Sequence, residues 1–366
     1  MASALLRTPL HDRHRALGAK LAGFAGWEMP IVYTTTRAEH RAVRERAGLF
    51  DVSHMGQIEV TGPAARGFLQ ETLTNDLGRI GPGQGQYTLV LQEDGGVIDD
   101  LIVYALLDRF LVVCNASNVE PVGSWLTDRA PEGAEVNDRS AEIAMLALQG
   151  PAYEAPLAPL VGSPAPLALE YFDITEDEVA GVPALVARTG YTGEPGVEIM
   201  CPASGAGRVW DRLMAGPDAP QPAGLAARDT LRLEVGYPLY GQDLSRERTP
   251  IEAGLAWACD LEGGFVGVEE CRRRKEEGPA ERLVMMKLLE PGIPRPGCTV
   301  LVDGERVGEV TSGTLSPTLD VGIAMGYLRS DVASPGTEVT VDVRGKPKAA
   351  RVERRPLVQT SPKTAG

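Results

Sequence analysis

Apolar and polar positions divide this chain into two regimes. Up to about residue 245, short runs rich in β-branched residues alternate with segments spaced for helices. The runs 49–60, 87–91, 96–106, 110–115, 143–148 and 185–188 predict strands. The segments 36–47, 63–73, 119–128 and 222–234 predict helices, the first capped by Thr36 and stopped by Gly48. The links are too short for repeated parallel crossovers, so α+β lobes with mostly antiparallel sheets are expected. A charged helix follows over 267–277, its bases bracketed by acids as on a solvated face. From Leu283 onward, turn signals at Asp303-Gly304, Ser312-Gly313 and Pro335-Gly336 separate short strands, the pattern of a small β-barrel.

One predicted strand breaks its own pattern. Gly95-Gly96-Val97-Ile98-Asp99-Asp100-Leu101-Ile102-Val103-Tyr104 places two adjacent carboxylates in an apolar run. Side chains alternate on a strand, so Asp100 is expected beside Ile98, Ile102 and Tyr104, and Asp99 beside Val97, Leu101 and Val103. A carboxylate between apolar neighbours costs several kcal/mol unless donors or a cation satisfy it. Either one acid lines a pocket, or backbone N–H groups of a nearby turn satisfy both.

Composition narrows the classes of function. At 366 residues the chain should form two or three domains. Its 43% hydrophobic and 23% charged residues fit a soluble protein, and a net charge of -14 disfavours nucleic acid and anionic membrane as partners. The N-terminal apolar run is short for a signal peptide, and no stretch approaches the ~20 apolar residues of a membrane span, so a cytoplasmic location is expected. Five scattered cysteines without a C-x-x-C pair predict free thiols, and four histidines, His11, His14, His40 and His54, give no clustered metal site.

Other segments carry candidate chemistry. Gly23-Phe24-Ala25-Gly26-Trp27-Glu28-Met29-Pro30 reads as an aromatic loop over something flat, unless Trp27 plugs a core. Asp51, Ser53 and His54 are too close in sequence for a catalytic triad, because strand neighbours face apart. Gly81 to Gln86 lacks the Lys-Ser/Thr of a phosphate loop and reads as a plain turn. Asn115 ends its strand at an expected pocket rim. Three glycines in the turn before Glu198 leave room for a ligand's approach. Arg228 and Arg232 share a helix face. Glu198 and Arg228 either read two ends of a polar ligand or pair with each other.

Together these blocks resemble the glycine cleavage T-protein (aminomethyltransferase) family over nearly the whole chain. The resemblance rests on Thr8-Pro9-Leu10, 24–30, 50–55, 95–104, Leu148-Gln149-Gly150-Pro151, 189–198, 224–234, Leu239-Tyr240-Gly241-Gln242 and 311–319. It implies two α+β lobes forming a folate pocket, residues 1–52 with 138–245 and residues 53–137. A helical linker over 246–280 and a C-terminal β-barrel over 281–366 would complete the fold. It also implies one-carbon transfer from an aminomethyl-lipoyl group on a carrier protein to tetrahydrofolate, without a metal, by a monomer. Asp100 takes the catalytic position. Glu198, Arg228, Tyr87, Asn115, Tyr171, Tyr191 and Val113 take folate positions, and Trp27, Met55 and Tyr104 are candidates for the pocket or the lipoyl arm's access. Residues 357–366 depart from the family's pattern, so its C-terminal contact to the folate tail is not carried over. A folate-dependent demethylase of a small methylated amine or sulfonium, and a folate-binding accessory protein, are the alternatives. Ammonia release from the aminomethylated carrier separates them.

Overall fold

The computed structural model describes residues 4–362. Two open sheets and a closed barrel carry the architecture. The five-stranded sheet runs Gln84–Leu91, Val97–Ala105, Arg109–Cys114, Gly56–Thr61, Glu135–Asp138, antiparallel throughout. The six-stranded sheet runs Ile174–Val179, Val182–Ala187, Gly196–Pro202, Ile143–Gln149, Gly48–Asp51, Gln221–Pro222, and only its last pair is parallel. The barrel closes six antiparallel strands between Glu281 and Glu353. This is the α+β fold with a C-terminal barrel that the apolar pattern predicts.

Alternation decides how the layers pack. Ile58, Val60, Leu101, Val103 and Val112 turn one face of the five-stranded sheet toward Phe68, Leu69, Val122 and Leu126 of the helices Ala65–Thr72 and Val119–Arg129. Ile102, Tyr104, Leu111 and Val113 turn the other face toward Phe50, Ala147, Ala187 and Met200 of the six-stranded sheet. A further cluster joins Leu89, Leu91 and Val97 to Leu255, Phe265 and Cys271, and on to Met285 and Met325 of the barrel. Within 246–280 the helix covers only Val268–Glu277, with one short turn at Ala256–Ala258. Burial of each such apolar side chain contributes about 1.5–3 kcal/mol.

Local physics departs from the sequence reading at several points. The expected strand 49–60 is two strands, because Asp51 accepts the backbone N–H of Ser53 and Met55 bonds back to Val52, turning the chain. The expected aromatic loop is a hairpin, Lys20–Phe24 with Trp27–Val32. Ala25 and Gly26 both take positive φ, which suits a tight two-residue connection. Thr35, not Thr36, caps the next helix by accepting the Ala38 N–H. The last helix of the sheet region starts at Leu225 rather than 222, since Gln221 and Pro222 pair with Gly48 and Leu49. Ser312-Gly313 lies inside the strand Glu305–Ser316, not at a turn. A Cβ on Gly313 would meet the Pro294 carbonyl oxygen at 2.6 Å, so the glycine serves close approach.

The acid-bearing strand holds the most consequential departure. Its pairing slips between Val90 and Leu91, opposite Asp99 and Val97, so Ile98 is the extra residue of a β-bulge. Ile98 therefore packs with Leu101 and Val103, and Val97 with Leu89 and Leu91. Uninterrupted alternation predicts the opposite face for each. Beyond the bulge the alternation holds, and Asp100, Ile102 and Tyr104 share the face toward the six-stranded sheet.

Candidate functional site

Asp99 and Asp100 part at the bulge. Asp99 is fully buried, and three N–H groups reach it: Asn115 backbone N at 2.9 Å, Asn115 Nδ2 at 2.8 Å and Asn118 Nδ2 at 2.6 Å. Asp100 is half-buried and accepts the Tyr87 hydroxyl at 2.9 Å and Asn115 Nδ2 at 3.0 Å. Tyr87 stands opposite Ile102 on the neighbouring strand, so its side chain reaches diagonally across one face. Burial, then the charge of Asp100, pushes the Asp99 carboxyl up to about 8 against the bonds from Asn115 and Asn118, and burial pushes Asp100 up to about 6 against the bonds from Tyr87 and Asn115. The charge of Asp243 raises Asp100 further.

Glu198 and Arg228 face the same region from the other sheet and its helix. The Thr189 hydroxyl donates to Glu198 Oε2 at 2.6 Å, and the Tyr104 hydroxyl lies 2.8 Å from Thr189 Oγ1. Tyr104 is enclosed, so it supports Glu198 from behind. Burial raises the Glu198 carboxyl, against the Thr189 bond and the Arg228 charge. Burial lowers the Arg228 guanidinium, against the charges of Glu198 and Tyr191. Its Nη1 is buried with no hydrogen-bond partner among the described residues, while the Tyr191 ring lies 4.8 Å from its central carbon. Glu198 and Arg228 feel each other's charge but share no hydrogen bond or ion pair among the described residues. Simple mutual pairing is therefore not what holds them.

Tyrosines link the two halves. Tyr191 sits 5.8 Å from the Tyr237 ring and donates to the Pro238 carbonyl. Tyr171 is half-buried, with its ring 4.7 Å from that of Phe172, and its hydroxyl is raised by burial and by the charges of Tyr237 and Glu198. Tyr87 feels the charges of Asp100 and Tyr191, and Tyr191 those of Arg232, Asp100 and Arg228. Val113 is paired with Ile102, and Met55 packs against the same cluster. Trp27 stays with its hairpin, opposite Phe24 and bridged to Leu6.

The glycines before Glu198 do not open toward a ligand. A Cβ on Gly190 would meet Gln149 Oε1 at 1.9 Å, and one on Gly196 the Leu148 carbonyl at 2.4 Å, so the protein itself fills the space they leave. Sequence reasoning also missed Trp257, 64% exposed and stacked 5.3 Å from Tyr87, and Tyr237. It treated His54 only as part of an unworkable triad. His54 is buried with Nδ1 unpartnered among the described residues, and burial followed by the Arg228 charge pushes it down to about 4. It is a neutral imidazole beside the guanidinium. Asp51 instead holds His14 at 2.7 Å and the Thr8 hydroxyl at 2.6 Å, partners from remote sequence that no local motif signals. Among the described residues no group of three or more His, Cys, Asp and Glu is placed to hold a metal ion. No described helix is long and apolar enough to cross a membrane.

A half-buried acid, a buried guanidinium unpartnered among the described residues and aromatic side chains make this the candidate site for a polar, partly flat small molecule. Comparison with known proteins makes this specific. Residues 10–263 match the GCVT N-terminal domain, and residues 281–359 match the glycine cleavage T-protein C-terminal barrel domain. An aminomethyltransferase of Geobacillus kaustophilus is 48% identical over 95% of this chain and 97% of its own length. One of Bacillus subtilis is 42% identical over 96% and 99%. The crystal structure of glycine cleavage system aminomethyltransferase T from Bartonella henselae superposes with a TM-score of 0.91 at 37% identity, covering 97% of this chain and 98% of that one. The chain belongs to the glycine cleavage T-protein family.

Proposed function

We infer that this chain is the aminomethyltransferase of glycine cleavage. It takes the one-carbon unit from an aminomethyl-lipoyl group on a carrier protein and gives 5,10-methylenetetrahydrofolate, ammonia and the dihydrolipoyl carrier. In this reaction one C–S and one C–N bond break, and two C–N bonds form at folate N5 and N10. Two N–H protons pass from folate to the leaving amine and thiolate. Family membership over both domains supports the reaction, and the half-buried Asp100, hydrogen-bonded by Tyr87 and Asn115, is the observation that supports placing its centre there.

Positive charge builds near the reacting nitrogen as ammonia leaves. The Asp100 carboxylate, held by Tyr87 and Asn115, stabilises that charge and orients N10 without reorganising at the moment of reaction. Glu198, fixed by Thr189, offers a planar acceptor to paired N–H donors of the pterin edge. The free donors of Arg228 suit an anionic or carbonyl part of folate, with Tyr191 and Tyr171 as flat walls. Met55, partly buried against the cluster between the sheets, is the candidate for the lipoyl arm's approach. The test is ammonia release from the aminomethylated carrier with and without tetrahydrofolate. Strong folate dependence is expected. Full turnover on a free methylated amine, with none on the carrier, would contradict the reading.

A further inference from the structure

We propose that His54 is a specificity-determining residue, its Nδ1–H donating together with Arg228 Nη1 to the 4-oxo oxygen of the pterin. This rests on the reading of the site as a folate site. His54 lies in the turn that parts the strands Gly48–Asp51 and Gly56–Thr61, where Asp51 accepts the Ser53 N–H and the Met55 N–H bonds back to the Val52 carbonyl. The backbone is thus fixed on both sides of the imidazole. Val52 and Met55, which flank the ring in sequence, pack in one apolar cluster with Ala227 and Leu231, the neighbours of Arg228 on its helix. Phe24 of the hairpin, 37% exposed, meets the buried imidazole edge to face at 5.6 Å and covers it. His54 Nδ1 and Arg228 Nη1 are both buried, and neither has a hydrogen-bond partner among the described residues. Leaving such groups unmade is costly, so a ligand that satisfies both is favoured.

The chemistry of the two groups narrows what that ligand atom is. A guanidinium only donates, so whatever meets Arg228 is an acceptor, and a group that shares the atom must donate as well. The charged groups that act on His54 are Arg228 and Asp51. Asp51 is committed to His14, the Thr8 hydroxyl and the Ser53 N–H, and with burial the Arg228 charge keeps the imidazole neutral, with one N–H to place. Glu198 then selects the atom. On a pterin the 2-amino group, N3–H and the 4-oxo oxygen stand in a row along one edge. A carboxylate that accepts from the first two leaves the oxygen to the donor beside it. Arg228 is that donor, since it and Glu198 feel each other's charge, and His54 adjoins Arg228. A pterin carrying a 4-amino group instead would set donors against donors, which is how such a site rejects the wrong ring.

The experiment is fluorescence titration of the full-length protein and its His54 variants with tetrahydrofolate and with the 4-amino analogue of tetrahydrofolate. His54→Leu keeps an apolar contact for Phe24 and should weaken tetrahydrofolate about 10-fold while leaving the 4-amino analogue within about 2-fold of wild type. His54→Asn should recover most of the lost affinity, because its side-chain nitrogen is as many bonds from the backbone as Nδ1. His54→Gln places its nitrogen nearer the Nε2 position and should not recover it. Folding is checked by circular dichroism, and His54→Gln carries the test if His54→Leu does not fold. Tetrahydrofolate affinity unchanged in the folded variant, both ligands weakened alike, or His54→Asn as weak as His54→Leu overturns the proposal and leaves His54 a structural residue. Arg228→Met, measured alongside, separates the two readings. If it loses affinity for tetrahydrofolate and His54→Leu does not, the assignment of His54 alone fails; if both keep wild-type affinity, the folate reading of this corner fails with it.

Discussion

Arg228 and Arg232 stand one turn apart on the helix Leu225–Val235, and their surroundings are opposite. Arg232 points into the seam with the barrel, where all five of its N–H donors are used, on Asp229, Asp243, Tyr237, Ser312 and Gln242. Burial works against its charge, but Asp243, Tyr191 and Asp229 outweigh it and raise the pKa. Arg228 points into the site, where burial wins and Nη1 has no partner among the described residues. The carboxylates repeat the contrast. Glu234 accepts from Ser316, Thr318 and Arg44 and lies 3.2 Å from His40 Nε2, whereas Glu198 has the Thr189 hydroxyl and no ion pair among the described residues. The seam is electrostatically complete and holds the barrel on the sheets. The candidate site leaves Arg228 without such partners among the described residues.

The largest expected effect lies in the seam. Arg232→Met leaves Asp243 buried without its cation and should cost about 3–5 kcal/mol of unfolding free energy in a denaturant titration. Arg228→Met breaks no hydrogen bond and should stay within about 1 kcal/mol of wild type. The reverse order of stabilities would break the comparison. In folate binding the order inverts: Arg228→Met and Glu198→Ala should each weaken the dissociation constant about 10-fold or more by fluorescence titration, since each removes a charged hydrogen-bonding group. Unchanged affinity in either would remove that residue from the site.

Acid sharpens the same contrast. Burial alone would raise the Glu234 carboxyl, but the bond and charge of His40, then Ser316 and Arg44, bring it down to about 2. A depressed folded-state pKa means stability fully present above the unfolded value of about 4.3 and lost as pH falls toward the folded one. Wild type should therefore lose stability between about pH 5 and 2 more steeply than Glu234→Gln, measured by urea midpoints across that range. Glu198 is shifted the other way, so Glu198→Gln should not flatten the acid limb. The smallest effect concerns the helix that brings His40 and Arg44 to Glu234. Thr35→Ala should cost about 1 kcal/mol through loss of the cap, and Thr36→Ala less than half of that.

The sequence shows the strands, the barrel and the costly acid pair clearly, because each follows from alternation and turn chemistry over a few residues. It does not show the bulge at Ile98, since an extra residue leaves the apolar run looking continuous. Nor does it distinguish Arg228 from Arg232. The i,i+4 spacing makes them equivalent, and only the barrel, arriving through Ser312 about 80 residues later, supplies one and not the other. Ser312-Gly313 and the glycines before Glu198 read as a turn and as ligand space for a similar reason, because what fills the room beside a glycine comes from elsewhere in the chain. The choice of Asp100 over Asp99 came from family resemblance. The structure shows how the two differ: three N–H groups reach the fully buried Asp99, whereas the half-buried Asp100 accepts from one hydroxyl and one amide side chain.

The most direct measurement is turnover and folate affinity in Asp100→Asn. Loss of about 10²-fold or more in ammonia release, with a dissociation constant for tetrahydrofolate close to wild type, is the predicted result. Near-full turnover would contradict the account.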